Sequence, residues 1–301
     1  MTELSWPREQ ARPAQAGLHW TQARSNICLD FHGDPLRAQA ILFSEGNHHM
    51  ALEQSLQQFL LRDPAAQDVF YVTTPPAVLR EWLEAGALHL GNLRLALVPQ
   101  VIISPPALLD ALLQAGRIRA HAPFMRSRGN VLLVRKGNPL GIHSIADLVR
   151  SNARLFISNP RTESASYRVY ADTLKALAQK AETRFDWLDR PPAADSANQV
   201  VYGERIHHRE APQALADGRA DVALIYYHLA LRYVRIFPDQ FDFISIGGAP
   251  EQPEPENSVS DFHLAIVGDG GAWGEALYQF LLGNETAQIY AYHGLERVYS
   301  K

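Results

Sequence analysis

A chain of 301 residues, 47% hydrophobic and 20% charged, has the composition of a globular protein and a length that suits two lobes better than one core. A formal net charge of -4, a pI near 6.3 and no dense Lys/Arg run argue against a nucleic-acid surface. The single cysteine, Cys28, excludes an internal disulfide and a cysteine-rich zinc site, and no apolar run approaches the roughly 18–20 residues of a membrane span.

Residues 1 to about 25 are polar and proline-containing and read as an arm. They lack the basic start and apolar run of a secretory signal, so the chain as written reads as cytoplasmic, or periplasmic if an export signal has been removed. Ala40–Phe43 is a buried strand ending in the polar cluster Ser44, Glu45, Gly46, Asn47, His48, His49. The next helix carries Leu52, Leu56, Phe59 and Leu60 on one face. Val69–Val72 is a strand ending in Thr73, Thr74, Pro75 and Pro76; Gly86 closes the helix after it. Strands at Leu93–Val98 and Val101–Ile103 precede a helix opened by Pro105-Pro106. Val131–Val134 runs into the turn Lys136-Gly137-Asn138-Pro139, and Ser144 with Asp147 forms a capping box for Ile145–Arg150.

The stretch Arg154–Leu177 is the most informative. A short apolar strand stops at Asn159-Pro160, and from Ser164 onward Tyr167, Tyr170, Leu174 and Leu177 recur at helical spacing. Thr162, Ser164, Ala165 and Ser166 sit at this helix start, where unpaired N–H groups and the dipole suit an anion. The commoner use of Thr162 or Ser164 there is an ordinary N-cap. Residues 180–205 resist assignment. A short helix over Ala211–Ala216, a buried strand from Asp221 to Tyr227 and a strand at His263–Val267 follow. Helices at Trp273–Leu282 and Glu285–Tyr292 end the chain. Strands alternating with helices predict an α/β fold with mostly parallel sheets, and the polar clusters fall at the C-terminal ends of strands, where such sheets bind ligands.

No phosphate-binding loop, dinucleotide fingerprint, nucleophile elbow or H-E-x-x-H zinc motif occurs. No catalytic residue, cofactor or metal site is assigned.

Three separated pieces carry a resemblance. Val134-Arg-Lys-Gly-Asn-Pro139 with its capped helix, Asn159–Tyr167, and Ala214–Tyr226 resemble, in that order, segments of the molybdate-type substrate-binding proteins of ABC transporters. Phe280–Gln288 to Gly294 resembles their closing helices. The resemblance spans roughly residues 38–297 and implies a two-lobed type II periplasmic-binding-like fold, with a mixed, mostly parallel sheet in each lobe and a ligand cleft between them. The expected division is lobe 1 over 26–125 plus 236–301 and lobe 2 over 126–235. The resemblance implies binding of a tetrahedral oxyanion through neutral donors, with hinge closure. Ser44 matches its first-loop serine, Thr74 (or Thr73) its second-loop hydroxyl, Ala165 and Ser166 its helix-start donors, and Tyr226 the tyrosine ending a late strand. Two departures stand out. The first loop carries Glu45 and histidines where the family prefers small residues, and Pro75 and Pro76 offer no N–H.

The ligand set expected is therefore Ser44, Asn47, His48, Thr73, Thr74, Thr162, Ser164, Ala165, Ser166, His208 and Tyr226, holding a small anion. That anion is a molybdate-like oxyanion or a small acidic metabolite, for which a protonated His208 is suited. Arg161 and Arg168 are alternatives. The expected protein partner is an ABC transporter or an unknown protein. A second reading resembles ferric-binding proteins, with Glu45, His48, Tyr226 and Tyr227 as ligands. A third is an enzyme using His48, His49 or His208 as general base.

Overall fold

The computed structural model describes residues 30–90, 93–188, 199–204 and 206–299; the expected arm and Cys28 lie outside them. Contacts divide the described residues into an inserted unit, Ser127–Ser260, and a discontinuous unit made of those up to Arg126 and those from Asp261. The return was expected at residue 236. It comes later because the strand Phe241–Ser245 pairs with Asn130–Arg135 and so remains in the inserted unit.

The discontinuous unit begins with β1 (Phe31–His32), β2 (Ala40–Ser44), α1 (His49–Arg62), β3 (Val69–Thr73) and α2 (Pro76–Ala85). The hairpin β4 (Leu88–Leu90) and β5 (Leu93–Leu95), then β6 (Val101–Ser104), α3 (Pro106–Gln114) and β7 (Ala122–Arg126), complete its first part. The inserted unit holds β8 (Asn130–Arg135), α4 (Ile145–Arg150), β9 (Leu155–Ile157), α5 (Ser164–Lys180), β10 (Val200–Tyr202) and α6 (His207–Ala216). It continues with β11 (Val222–Tyr226), α7 (Tyr227–Ile236), β12 (Phe241–Ser245) and the ribbon β13 (Gly248–Ala249) and β14 (Gln252–Pro253). The chain then returns with β15 (Asp261–Ile266), α8 (Gly274–Leu281), α9 (Asn284–Tyr292) and β16 (Glu296–Arg297).

Both sheets are mixed. In the discontinuous unit the order is β1-β3-β2-β6-β15-β7-β16, with β3, β2 and β6 mutually parallel. The strand residues alternate between two apolar layers, as a sheet covered on both faces requires. Leu42, Val101, Ile103 and Leu264 face α1, α8 and α9, while Phe43, Phe70, Ile102 and Ala265 face α2 and α3. In the inserted unit the order is β10-β9-β11-β8-β12, with β10, β9 and β11 parallel. Parallel strands joined through helices leave their C-terminal ends together at one edge of each sheet, and those edges hold the polar clusters.

Local chemistry sets the helix boundaries. Ser144 accepts from the Asp147 N–H at 3.1 Å, the N-cap half of the expected capping box, while the Asp147 carboxylate accepts from the His143 N–H at 3.1 Å rather than from that of Ser144. Gly86 closes α2 in the left-handed conformation with φ 64°. By contrast α6 starts four residues before its expected beginning at Ala211 and contains Pro212 in its interior. Proline lacks the N–H that would bond the carbonyl four residues back, which here belongs to His208. The hydroxyl of Tyr233, a buried residue of α7, donates to that carbonyl instead.

Candidate functional site

At the C-terminal edge of the discontinuous sheet, β2 delivers Ser44, Glu45 and the loop leading into α1. Ser44 is fully buried; its hydroxyl donates to the Glu45 carbonyl (2.9 Å) and meets His48 Nε2 at 3.2 Å. His48 is also fully buried, with Nδ1 2.8 Å from the Tyr290 hydroxyl and its ring packed on Phe262. Both imidazole nitrogens are thus engaged within the unit, so His48 fixes Ser44 rather than presenting a free nitrogen. Gly46 is demanded by close approach, since a Cβ there would lie 2.9 Å from the Thr73 carbonyl.

Glu45 is buried, and Asn47 donates to its carboxyl from the side chain (3.0 Å) and the backbone (3.3 Å). Its Oε1 lies 3.6 Å from His48 Nε2. Burial outweighs the Asn47 N–H and pushes the Glu45 pKa up to about 8, so the group is protonated at neutral pH. A neutral carboxyl is a donor and does not repel an anion.

β3 ends beside it. Thr73 is spent within the unit, its hydroxyl 3.1 Å from His32 Nε2. Thr74 donates its backbone N–H to the Ser44 carbonyl (2.9 Å), and its buried hydroxyl has no hydrogen-bond partner. Of the two threonines expected, Thr74 has the available group. Ser104, at the end of β6, is fully buried with an equally unpartnered hydroxyl. It is absent from the ligand set expected from sequence. The signal was present as an echo: Thr-Pro-Pro after one strand and Ser-Pro-Pro after another.

In the inserted unit α5 starts at Ser164, as expected, but its N-cap is Glu163 and no side chain caps it. Thr162, Ser164 and Ala165 are exposed, and Ser166 Oγ lies 3.0 Å from Ser158 Oγ and 3.2 Å from the Glu163 carbonyl. Arg161 and Arg168 are exposed. Tyr226, the last residue of β11, is buried; Ser260 Oγ lies 3.3 Å from its hydroxyl, and its ring stacks on His228.

His208 does not fit the cationic role expected of it. Burial holds its pKa well below the usual histidine value, and the start of α6 is already occupied by carboxylates: Glu163 accepts from the His207 N–H and Glu210 from the Ile206 N–H. His207, packed between Phe156 and Tyr170, is lowered by burial to about 4. The tyrosine pair also fails to converge. Tyr226 packs with Tyr170 and His228, whereas Tyr227, the first residue of α7, packs edge-on against Phe243. Among the described residues no group of three or more His, Cys, Asp or Glu is arranged to hold a metal ion.

Comparison with known proteins adds a family and a fold. The profile of the bacterial extracellular solute-binding proteins matches residues 88–296, more than half of the chain. No curated protein matches in sequence. Among solved structures, the sulfate-binding protein SubI of Mycobacterium tuberculosis H37Rv aligns with a TM-score of 0.60 at 17% identity, covering 86% of each chain. The periplasmic molybdate-binding protein of Azotobacter vinelandii aligns at 0.56 and 14% identity, over 87% of this chain and all of that one. The tungstate-binding protein TupA of Desulfovibrio alaskensis G20 aligns at 0.53 and 9% identity, over 83% of this chain and 92% of that one. The shared fold is the two-lobed periplasmic-binding fold.

Proposed function

We propose that this chain, which belongs to the family of bacterial extracellular solute-binding proteins, binds a small tetrahedral oxyanion of the sulfate and molybdate kind through neutral donors. The carrying observation is the edge formed by β2 and β3. It combines the buried Glu45 carboxyl, bonded by Asn47 and raised in pKa by burial, with a buried hydroxyl, on Thr74, that has no partner within the protein. The loops Ser44–Met50 and Thr73–Pro76 contain no Lys or Arg, so at this edge the charge of the anion is met by hydrogen bonds rather than by a countercharge. Hydrogen bonds to a charged acceptor are about twice as strong as neutral ones. The start of α5, where Thr162, Ser164 and Ala165 are exposed and no side chain caps the helix, offers the same chemistry in the inserted unit. The structural neighbours named above are binding proteins for sulfate, molybdate and tungstate.

No turnover is assigned; the family is one of binding proteins. The extracellular character of the family supports reading the working compartment as outside the cytoplasmic membrane, with an ABC-type transporter as the partner that receives the solute. Cell fractionation tests the first point and co-purification with a membrane permease the second. Among the described residues no helix is long and apolar enough to cross a membrane.

A thermal-shift panel on metal-stripped protein tests the binding itself. An oxyanion present at about 100 times its dissociation constant stabilises the protein by about 2.7 kcal/mol. A response to sulfate, molybdate, tungstate or phosphate is expected; a response to Fe(III) or Zn(II) alone overturns the reading.

A further inference from the structure

We propose that Ser104 is a ligand-binding residue, paired with Thr74 as one of two hydroxyl donors flanking the Ser44–Glu45 step; this rests on the oxyanion reading above. β2 lies between β3 and β6, and the register pairs Ser44 with Thr73 on one side and Ile103 on the other. Backbone bonds carry that register past the strand ends: the Thr74 N–H donates to Ser44 and the Glu45 N–H to Ile103. Thr74, Glu45 and Ser104 therefore occupy one row across three neighbouring strands.

The two flanking positions are built alike. Each hydroxyl residue precedes a proline N-cap with nearly the same backbone, φ -54° and ψ 145° at Pro75, φ -56° and ψ 148° at Pro105, and a second proline opens each helix. Two prolines remove two N–H groups that a helix start would otherwise present to an anion. The hydroxyl just before them is the remaining nearby donor.

Buried polar groups are nearly always bonded. Here Ser44 and Thr73 follow that rule, and Thr74 and Ser104 break it at matched positions on either side of one strand. Among the described residues, the buried side-chain hydroxyls without a partner are these two. The residue opposite Ser104 on β15, His263, offers no alternative partner: its Nδ1 faces His121 at 2.8 Å and it makes no bond to Ser104 Oγ. A solute oxygen supplies the acceptor both hydroxyls lack.

The test is isothermal titration of sulfate and of molybdate into the wild type, Ser104→Ala, Ser104→Cys and Thr74→Ala, with melting of each ligand-free protein. Removing one hydrogen bond to a charged acceptor weakens binding about 10-fold or more. That loss is expected in all three variants, with ligand-free melting unchanged or raised, because the alanines remove an unsatisfied buried group. Ser104→Cys keeps the volume with a poorer donor and serves if the alanine packs badly. Wild-type affinity in both Ser104 variants overturns the proposal and leaves the oxyanion reading standing. A lowered ligand-free melting temperature with normal affinity makes Ser104 structural and also overturns it. No binding of either anion by the wild type overturns both.

Discussion

Glu45 decides the sign of the site's response to pH. Its carboxyl is raised from 4.5 to about 8 by burial, so the folded protein holds a proton there that the unfolded chain releases. Stability therefore falls as pH rises from 4.5 through about 8. His207 and His208 act oppositely. Lowered from 6.5, they contribute stability that is present above 6.5 and lost as pH falls toward their folded values. Between 4.5 and 6.5 the slopes oppose each other, and from 6.5 to 8 the Glu45 slope remains. One pKa unit corresponds to about 1.4 kcal/mol, so wild-type stability should drop by about 2 kcal/mol over that interval in urea titrations, and Glu45→Gln should remove the drop. The same ionisation places a negative charge in the site. Affinity for sulfate or molybdate should fall at least about 10-fold between pH 7 and 9.5 in the wild type and stay flat in Glu45→Gln. Ser44 and Thr74 entered the expected ligand set through the family resemblance; the structure spends the Ser44 hydroxyl on Glu45 and His48 and leaves that of Thr74 unpartnered. The role of His48 was not legible in the sequence, since its two partners, Ser44 and Tyr290, are only brought together by packing, Tyr290 lying far away in sequence on α9. The neutrality of Glu45 was hidden for the same reason: a pKa set by burial has no local sequence signal.

At the scale of elements, the two sharpest dependencies are side chains that complete a backbone. Tyr233 replaces the N–H that Pro212 cannot give to His208. Tyr233→Phe should cost about 1–3 kcal/mol in equilibrium unfolding, the penalty for an unsatisfied buried acceptor. Pro212→Ala in the same background restores the missing donor and should recover part of the loss; equal losses with either residue at 212 would contradict the account. Asn257 plays a similar part beside β8. It accepts from the Asn130 N–H (2.8 Å) and donates to the carbonyls of Asn130 (3.0 Å) and Ile246 (2.7 Å). Asn257→Ala leaves several buried groups unpaired and should destabilise by about 3 kcal/mol, read as a shift in denaturant midpoint. Most helices and strands were legible from period and punctuation, and the N-cap at Ser144 and the close at Gly86 formed as read. The start of α6 was not. The expected start at Ala211 put Pro212 in the first turn, where proline is tolerated, whereas the observed start at His207 puts it in the interior, where the hydroxyl of a residue on another helix compensates.

For the whole molecule, alternation of strands and helices was enough to anticipate α/β architecture, because each amphipathic element must bury one face and the parallel strands must be joined through helices. The point of return from the inserted to the discontinuous unit was less legible. Nothing local to Phe241–Ser245 says whether it pairs with β8 or elsewhere, and strand pairing at that separation is settled by the sheet as a whole. The central claim is that a protein of this family holds a tetrahedral oxyanion with neutral donors only. Isothermal titration of sulfate, molybdate and phosphate into metal-stripped wild type, at pH 7 and again at 9.5, tests it most directly. Saturable binding of at least one oxyanion at pH 7, weakened at 9.5, is the predicted result. No binding of any oxyanion at either pH, or binding that strengthens as Glu45 ionises, would contradict it.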